Sequence, residues 1–307
     1  MDRRTFVRNG LKATAAAGSY LAFGKYANAF TLPTPSPATP YDLVAVKGAE
    51  PDVMFDRGIE ALGGMSAFVR KGEKVVVKPN IGWDVSPERG GNTNPKLVAR
   101  IIEHCFKAGA KEVVVFDHTC DSWQRCYATS GIVAAAKSAG AKIASGDSEG
   151  YYQEVSIPQG RALKKAKEHE LILGADVFIN VPILKNHGGS RMTVAMKNLM
   201  GIVWDRGYWH GTDLHQCIAD YATYRKPTLN VVDAYLVMKR NGPRGVSVED
   251  VITMKSQLLS TDMVTVDTAA TKLFGMDPKD VRHIQLAAEM NAGRMDLEKL
   301  NIKRITL

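Results

Sequence analysis

Hydrophobic positions in this chain follow two alternating patterns. Short β-branched runs cover 74–78, 112–117, 142–145, 176–182, 228–237 and a last stretch near 302–307. Between them, apolar residues recur every three or four positions, the period of a helix. Val98, Ile101, Ile102 and Cys105 mark one face of a helix from Pro95 to Lys107. Asn94 suits its N-cap, Pro95 its first turn, and Gly109 follows its end. The same logic places helices over 131–139, before Gly140, and from Thr261 or Asp262 to Phe274, closed by Gly275. This alternation builds βαβ units and predicts a single α/β domain with a mostly parallel central sheet flanked by helices. Val75-Val76-Val77 and Val113-Val114-Val115-Phe116 are apolar at every position, as strands covered on both faces are.

The ends of these strands carry the candidate chemistry. One closes on Lys78-Pro79-Asn80, the next on Asp117-His118, and the run after 176 leads to Lys185-Asn186-His187; Asp233 interrupts the run from Leu229. Ligands of open parallel sheets bind beyond the carboxyl ends of the strands, so these residues are expected to rim a polar cleft. Asp233 and Asp267 also sit on apolar stripes, and burying either charge calls for a cation or a metal. Asp117, His118 and His215, with His187 and Asp233, are the candidate ligands of a divalent metal, since mixed carboxylate and imidazole sets suit zinc, iron or manganese. None of them forms a short ligand motif. If the chain is helical from Arg191, Lys197 stands at the edge of the Met192, Met196, Leu199 and Met200 stripe.

Composition changes this picture at the N-terminus. Arg3-Arg4 precedes Phe6-Val7, an Ala/Gly-rich apolar stretch runs from 13 to 23, and Lys25 stands before Ala27-Asn28-Ala29. That order is the one found in export signals, and the paired arginines point to the twin-arginine type, over 1–29. Pro33, Pro35, Pro37 and Pro40 make 30–40 a Pro-rich linker, which leaves 41–307 for the folded domain. The formal charge is +8, but the first 29 residues hold five of the Lys/Arg and one Asp, so half of that charge goes with them. The remainder is too small to predict a nucleic-acid partner. Glycine-rich nucleotide fingerprints and a Gly-x-Ser-x-Gly elbow are missing, which lowers kinase, dinucleotide-dehydrogenase and serine-hydrolase readings. No apolar run is long enough for a stable membrane span. Cys120 and Cys126, with five residues between them in the loop after Asp117-His118, would close a disulfide or a redox pair in an oxidising compartment.

Lys78-Pro79-Asn80, Asn92-Thr93-Asn94-Pro95, Pro182 to His187, Met196-Lys197-Asn198-Leu199-Met200-Gly201, His215 to Asp220, Asn230 to Ala234, Asn241-Gly242-Pro243-Arg244-Gly245 and Val264-Thr265-Val266-Asp267 occur in this order. With them the chain resembles the bacterial and archaeal family known as domain of unknown function 362, over nearly all of 41–307. Some relatives carry a ferredoxin-like module with closely spaced cysteines; Cys105, Cys120, Cys126 and Cys217 lack that spacing. The resemblance favours Lys78, Lys185 and Lys197 as an anion-binding triad. It makes Lys185, His187, Lys197 and Asp233 the candidate catalytic groups and Lys78, Asn80, Asn94, Asn198 and Gly242 the candidate substrate-binding ones. The function expected is that of an exported, periplasmic enzyme acting on a small carboxylate or phosphate, with a divalent metal or redox cofactor as an option. The alternative is a non-catalytic periplasmic carrier of a metal or small anion. The partners expected are that small anionic ligand and, transiently, the twin-arginine translocation machinery.

Overall fold

The computed structural model describes residues 39–307, so the expected signal segment and linker residues up to 38 lie outside the described residues. The chain opens with β1 (Leu43–Lys47), α1 (Pro51–Ala61), β2 (Lys74–Pro79), α2 (Pro95–Lys107) and β3 (Glu112–Val115). Next come α3 (Trp123–Thr129), α4 (Ile132–Ser138), β4 (Lys142–Ile143), β5 (Tyr152–Ser156), β6 (Lys165–His169), α5 (Glu170–Leu173) and β7 (Val177–Val181). The middle contains β8 (Ile183–His187), β9 (Arg191–Thr193), α6 (Ala195–Asn198), α7 (Arg206–Gly211), α8 (Leu214–Tyr224) and β10 (Leu229–Met238). The last elements are β11 (Val251–Ser260), α9 (Met263–Phe274), α10 (Arg282–Glu289) and β12 (Ile302–Thr306).

The main sheet runs in the order β12-β1-β11-β10-β7-β2-β3-β4, with β8 also on β10 and β9 on β8. Most pairings are parallel, as the βαβ rhythm predicts, and helices cover the sheet, which makes the domain α/β. One strand departs from that rhythm. β11 returns antiparallel along β10 after a loop in which Asn241 (φ 55°) and Gly245 (φ 75°) take left-handed backbone, so the sheet is mixed. A second difference lies after His187. Arg191 (φ 68°) ends a tight turn, and the chain pairs back as β9, Lys185 opposite Thr193, before a helix of four residues begins. The helix expected from Arg191 is therefore a hairpin followed by a short α-turn that runs on as 3-10 helix to Ile202.

Strand alternation divides the core into two layers. Val75, Val77, Val177, Ile179 and Val231 face α1, α2, α3 and α4. Val76, Phe178, Val232 and Leu258 face the other way, toward α6, α8, α9 and α10. Lys78, Asn180, Asn230 and Ser260 share the parity of this second set and stand opposite one another across four adjacent strands. A polar row thus crosses the sheet where β2, β7 and β11 end and β10 begins, on the face where α6 packs.

Candidate functional site

The polar row is held together by a buried network. Asn180 donates to the carbonyl of Ala195 (3.1 Å) and to Asn230 Oδ1 (3.0 Å), and accepts from Asn198 Nδ2 (2.8 Å). Asn198 Oδ1 in turn accepts from Lys78 Nζ (2.9 Å) and from Asn80 Nδ2 (3.1 Å). Short amides can accept and donate at once, so a sheet end rich in asparagine satisfies its polar groups without adding charge.

Above this network opens a cleft of about 460 Å³. Lys78, Lys185, Lys197 and Arg206 line it, against one carboxylate, Asp117. The three lysines differ in how their amines are occupied. Lys78 is fully buried, ion-paired with Asp117 Oδ1 (2.8 Å), and donates to the carbonyl of Pro79 (2.9 Å) and to Asn198 Oδ1 (2.9 Å). Lys185, also buried, donates to Asn80 Oδ1 (2.9 Å) and to the carbonyl of Gly91 (2.6 Å) and has no carboxylate partner. Burial, with the Lys197 charge nearby, lowers its pKa to about 7. Lys197 is partly exposed to the cleft, and among the described residues its Nζ has no hydrogen-bond or ion-pair partner. Burial, with Arg206 and Lys78 adding to it, lowers its pKa to about 8.

The helix that presents Lys197 is one turn long and depends on a remote carboxylate. Asp267, buried on α9, accepts from the N–H of Ala195 (2.7 Å) and of Met196 (3.1 Å), the first residues of α6. Desolvation raises its pKa to about 7. Glycine is required at 201, where a Cβ would stand 1.9 Å from Asp117 Oδ1 and 2.7 Å from Lys78 Nζ. The Met-Lys-Asn-Leu-Met-Gly segment therefore supplies one amine, one amide hub and one close backbone approach.

His187 stands on the wall. Its Nδ1 accepts from the N–H groups of Gly189 (3.1 Å) and Ser190 (3.2 Å), which places the ring proton on Nε2. Burial and the Lys197 and Lys185 charges lower its pKa to about 3, so the ring is neutral and presents an N–H donor. His210 lies beside it, ring centroids 6.4 Å apart. Arg206 donates to the carbonyls of His118 (2.8 Å) and Thr119 (2.8 Å), fixing the loop after β3.

Several sequence expectations end elsewhere. Asp233 has the parity of Val231 and turns to the α2 face, where it accepts from the N–H of Asn94 (2.7 Å) and of Tyr235 (3.0 Å). Its carboxylate is met by these backbone donors and, among the described residues, pairs with no cationic side chain; burial raises its pKa to about 6. Asn94 is occupied as the α2 N-cap, accepting from the N–H of Lys96 (2.9 Å). Gly242 packs on Asn186, whose carbonyl would lie 1.9 Å from a Cβ there; its neighbour Pro243 reaches the cleft instead.

The expected metal ligands do not assemble. Asp117 is engaged by Lys78 and by the N–H of Ile81 (2.7 Å), and His118 Nδ1 is 3.1 Å from the carbonyl of Val203, its ring stacked on Trp204. His215 Nδ1 lies 3.1 Å from His283 Nδ1, between α8 and α10. Among the described residues, no three His, Cys, Asp or Glu side chains converge as a metal set. Cys120 and Cys126 are free thiols, so the expected bridge is not formed. α3 turns Cys126 into the core near the carbonyl of Gly82 (3.8 Å), whereas Cys120 is exposed on the cleft rim beside Arg206 (3.7 Å).

A family model described as Domain of unknown function (DUF362) matches residues 75–272. The chain belongs to this family. It is 27% identical over 231 residues, 73% of this chain and 70% of the other, to the thylakoid-associated protein sll1697 of Synechocystis sp. (strain ATCC 27184 / PCC 6803 / Kazusa). Among solved structures, the lactate racemase apoprotein from Thermoanaerobacterium thermosaccharolyticum is 11% identical with a TM-score of 0.45, covering 78% of this chain and 58% of that one. A protein of Thermotoga maritima is 10% identical with a TM-score of 0.43, covering 79% and 60%. The chain thus spans about three-fifths of the length of these solved structures.

In this DUF362 domain the motif residues Lys78, Asn80, Lys185, His187, Lys197 and Asn198 meet in one cleft. Arg206, His210 and Trp83 also line it and carry no mark in the sequence. Arg206 and His210 arrive because α7 folds back over the loop after β3, a placement no local spacing encodes.

Proposed function

We propose that this protein binds a small carboxylate- or phosphate-bearing molecule in the lysine cleft and acts on it by proton transfer. The reading is carried by Lys197, an amine without a partner among the described residues, in a cleft where four cationic side chains face one carboxylate. Like charges gathered out of water repel one another, and a bound anion relieves that repulsion. Lys78 is the structural member, tied to Asp117. Lys185 and Lys197, both titrating near neutrality, are the amines able to give or take a proton at physiological pH. The neutral His187 adds a hydrogen-bond donor from Nε2.

Succinate and inorganic phosphate are suitable probes. A ligand at a hundred times its Kd stabilises a fold by about 2.7 kcal/mol, so thermal unfolding should shift upward with one or both. Lys197→Ala should weaken that binding by about tenfold or more, the loss expected for a charge-assisted hydrogen bond. An unfolding temperature indifferent to both anions would remove the basis of this reading.

Export belongs to the same proposal. It rests on the arginine pair, the weakly apolar stretch and the small residues near 29. Replacing Arg3-Arg4 with two lysines should leave the precursor unprocessed in the cytoplasm; a mature, exported product would count against a twin-arginine route.

A further inference from the structure

The occupancy of the three amines separates their roles, and it narrows the ligand. Lys78 is ion-paired with Asp117 and donates to two further acceptors, and Lys185 is pinned on two acceptors and almost wholly buried. Of the three, Lys197 alone has an amine that is open to the cleft and without a partner among the described residues. Its short helix is anchored by the Asp267 carboxylate, so the amine is held in place although nothing binds its end. An amine among other cations, partly desolvated, is the environment that turns a lysine into a nucleophile.

We propose, resting on the anion-binding reading above, that Lys197 Nζ condenses with the carbonyl carbon of a small 2-oxo acid whose carboxylate is attracted by the charges of Lys185 and Arg206 in the same cleft. Carboxylates and phosphates do not themselves condense with amines in water, so a nucleophilic lysine needs a carbonyl as well as an anion. A 2-oxo acid places the two one bond apart, which suits a cleft where the amine and the anion-holding groups stand together. In the step, Nζ forms a bond to C2 while the carbonyl π pair moves to oxygen, which takes up a proton as the nitrogen loses one. The C2–O bond then breaks, the oxygen leaves as water with a second proton, and an imine remains. One amine and one carbonyl give one imine and one water, with no oxidant or reductant. The neutral His187, with its proton on Nε2, is placed on the same wall to polarise the carbonyl oxygen. Lowered proton affinity at Lys197 keeps part of the amine in its reactive form near neutral pH.

The experiment uses the full chain with glyoxylate and sodium borohydride, followed by intact mass and peptide mapping. The expected result is one reduced adduct per chain, mapped to Lys197, lost in Lys197→Arg and suppressed by excess succinate. Mapping the unsubstituted protein keeps the test decisive even if a variant folds poorly. Calorimetric titration with succinate runs in parallel. If succinate binds but the adduct is absent, sits on Lys185 or spreads over surface lysines, the imine is overturned and the anion site stands. If neither succinate nor phosphate binds, both fall together.

Discussion

At the scale of single residues, the site is governed by how each charge is satisfied. Lys78 and Asp117 are both buried, and each is paired with the other and with uncharged donors or acceptors. Such a pair adds little to net stability but is costly to break, because the surviving charge is left in a poorly solvating interior. Gly201 is the position where this pair meets backbone. A methyl group there would enter the space of Asp117 Oδ1 and Lys78 Nζ, neither of which can retreat without losing its partner. Gly201→Ala should therefore destabilise the fold by about 2 kcal/mol, the scale of overpacking in a filled core, and weaken anion binding as well. Urea unfolding together with a succinate titration checks both; an unaltered midpoint would show that the pair has more room than this geometry gives it.

Among elements, two buried aspartates look alike in sequence and do different work. Asp233 lies on an odd position of β10, so strand alternation carries it to the α2 face, where it braces the loop before that helix. Asp267 lies on α9 and caps α6 from outside, through two N–H groups that α6 leaves open. Asp267→Ala should cost roughly 1–2 kcal/mol, the worth of an N-cap, and lower succinate affinity because Lys197 and Asn198 lose their seat. Asp233→Asn keeps acceptor capacity on the other face and should leave succinate affinity within about twofold, far below the tenfold that 1.4 kcal/mol represents. Equal losses in the two variants, read by calorimetry, would mean that the faces are coupled.

For the whole molecule, the concentration of cations in one cleft sets a pH dependence. Lys185 and Lys197 titrate at about 7 and about 8 in the folded chain. An unperturbed lysine titrates near 10.4. Between about pH 7 and pH 8.5 the unfolded chain holds both protons while the folded chain releases them, so stability rises with pH across this window. Below it both states hold the protons and the penalty is complete. Above it the buried thiols of Cys105, Cys126 and Cys217, raised to about 12, 11 and 11, act in the opposite direction. Urea midpoints without added anion should climb through the window, and less steeply in Lys185→Met. Parallel profiles for the two proteins would place the titration elsewhere.

Much of this is legible in the sequence. Hydrophobic periodicity and capping chemistry set out the α/β alternation, the α2 boundaries from Asn94-Pro95 to Lys107 and the polar strand ends, because these are local properties of backbone and side chain. Segment order in the family motifs marked Lys78, Lys185, His187 and Lys197. The tertiary structure decided what those residues face. Parity within a strand sent Asp233 away from the cleft; a hairpin replaced the helix expected from Arg191; and the fold-back of α7 brought in Arg206 and His210. The occupancy of each amine also depends on partners up to 120 residues distant, as Lys78 and Asn198 show. Local sequence determines which groups exist and which elements carry them, whereas burial and partnership arise only when distant segments pack.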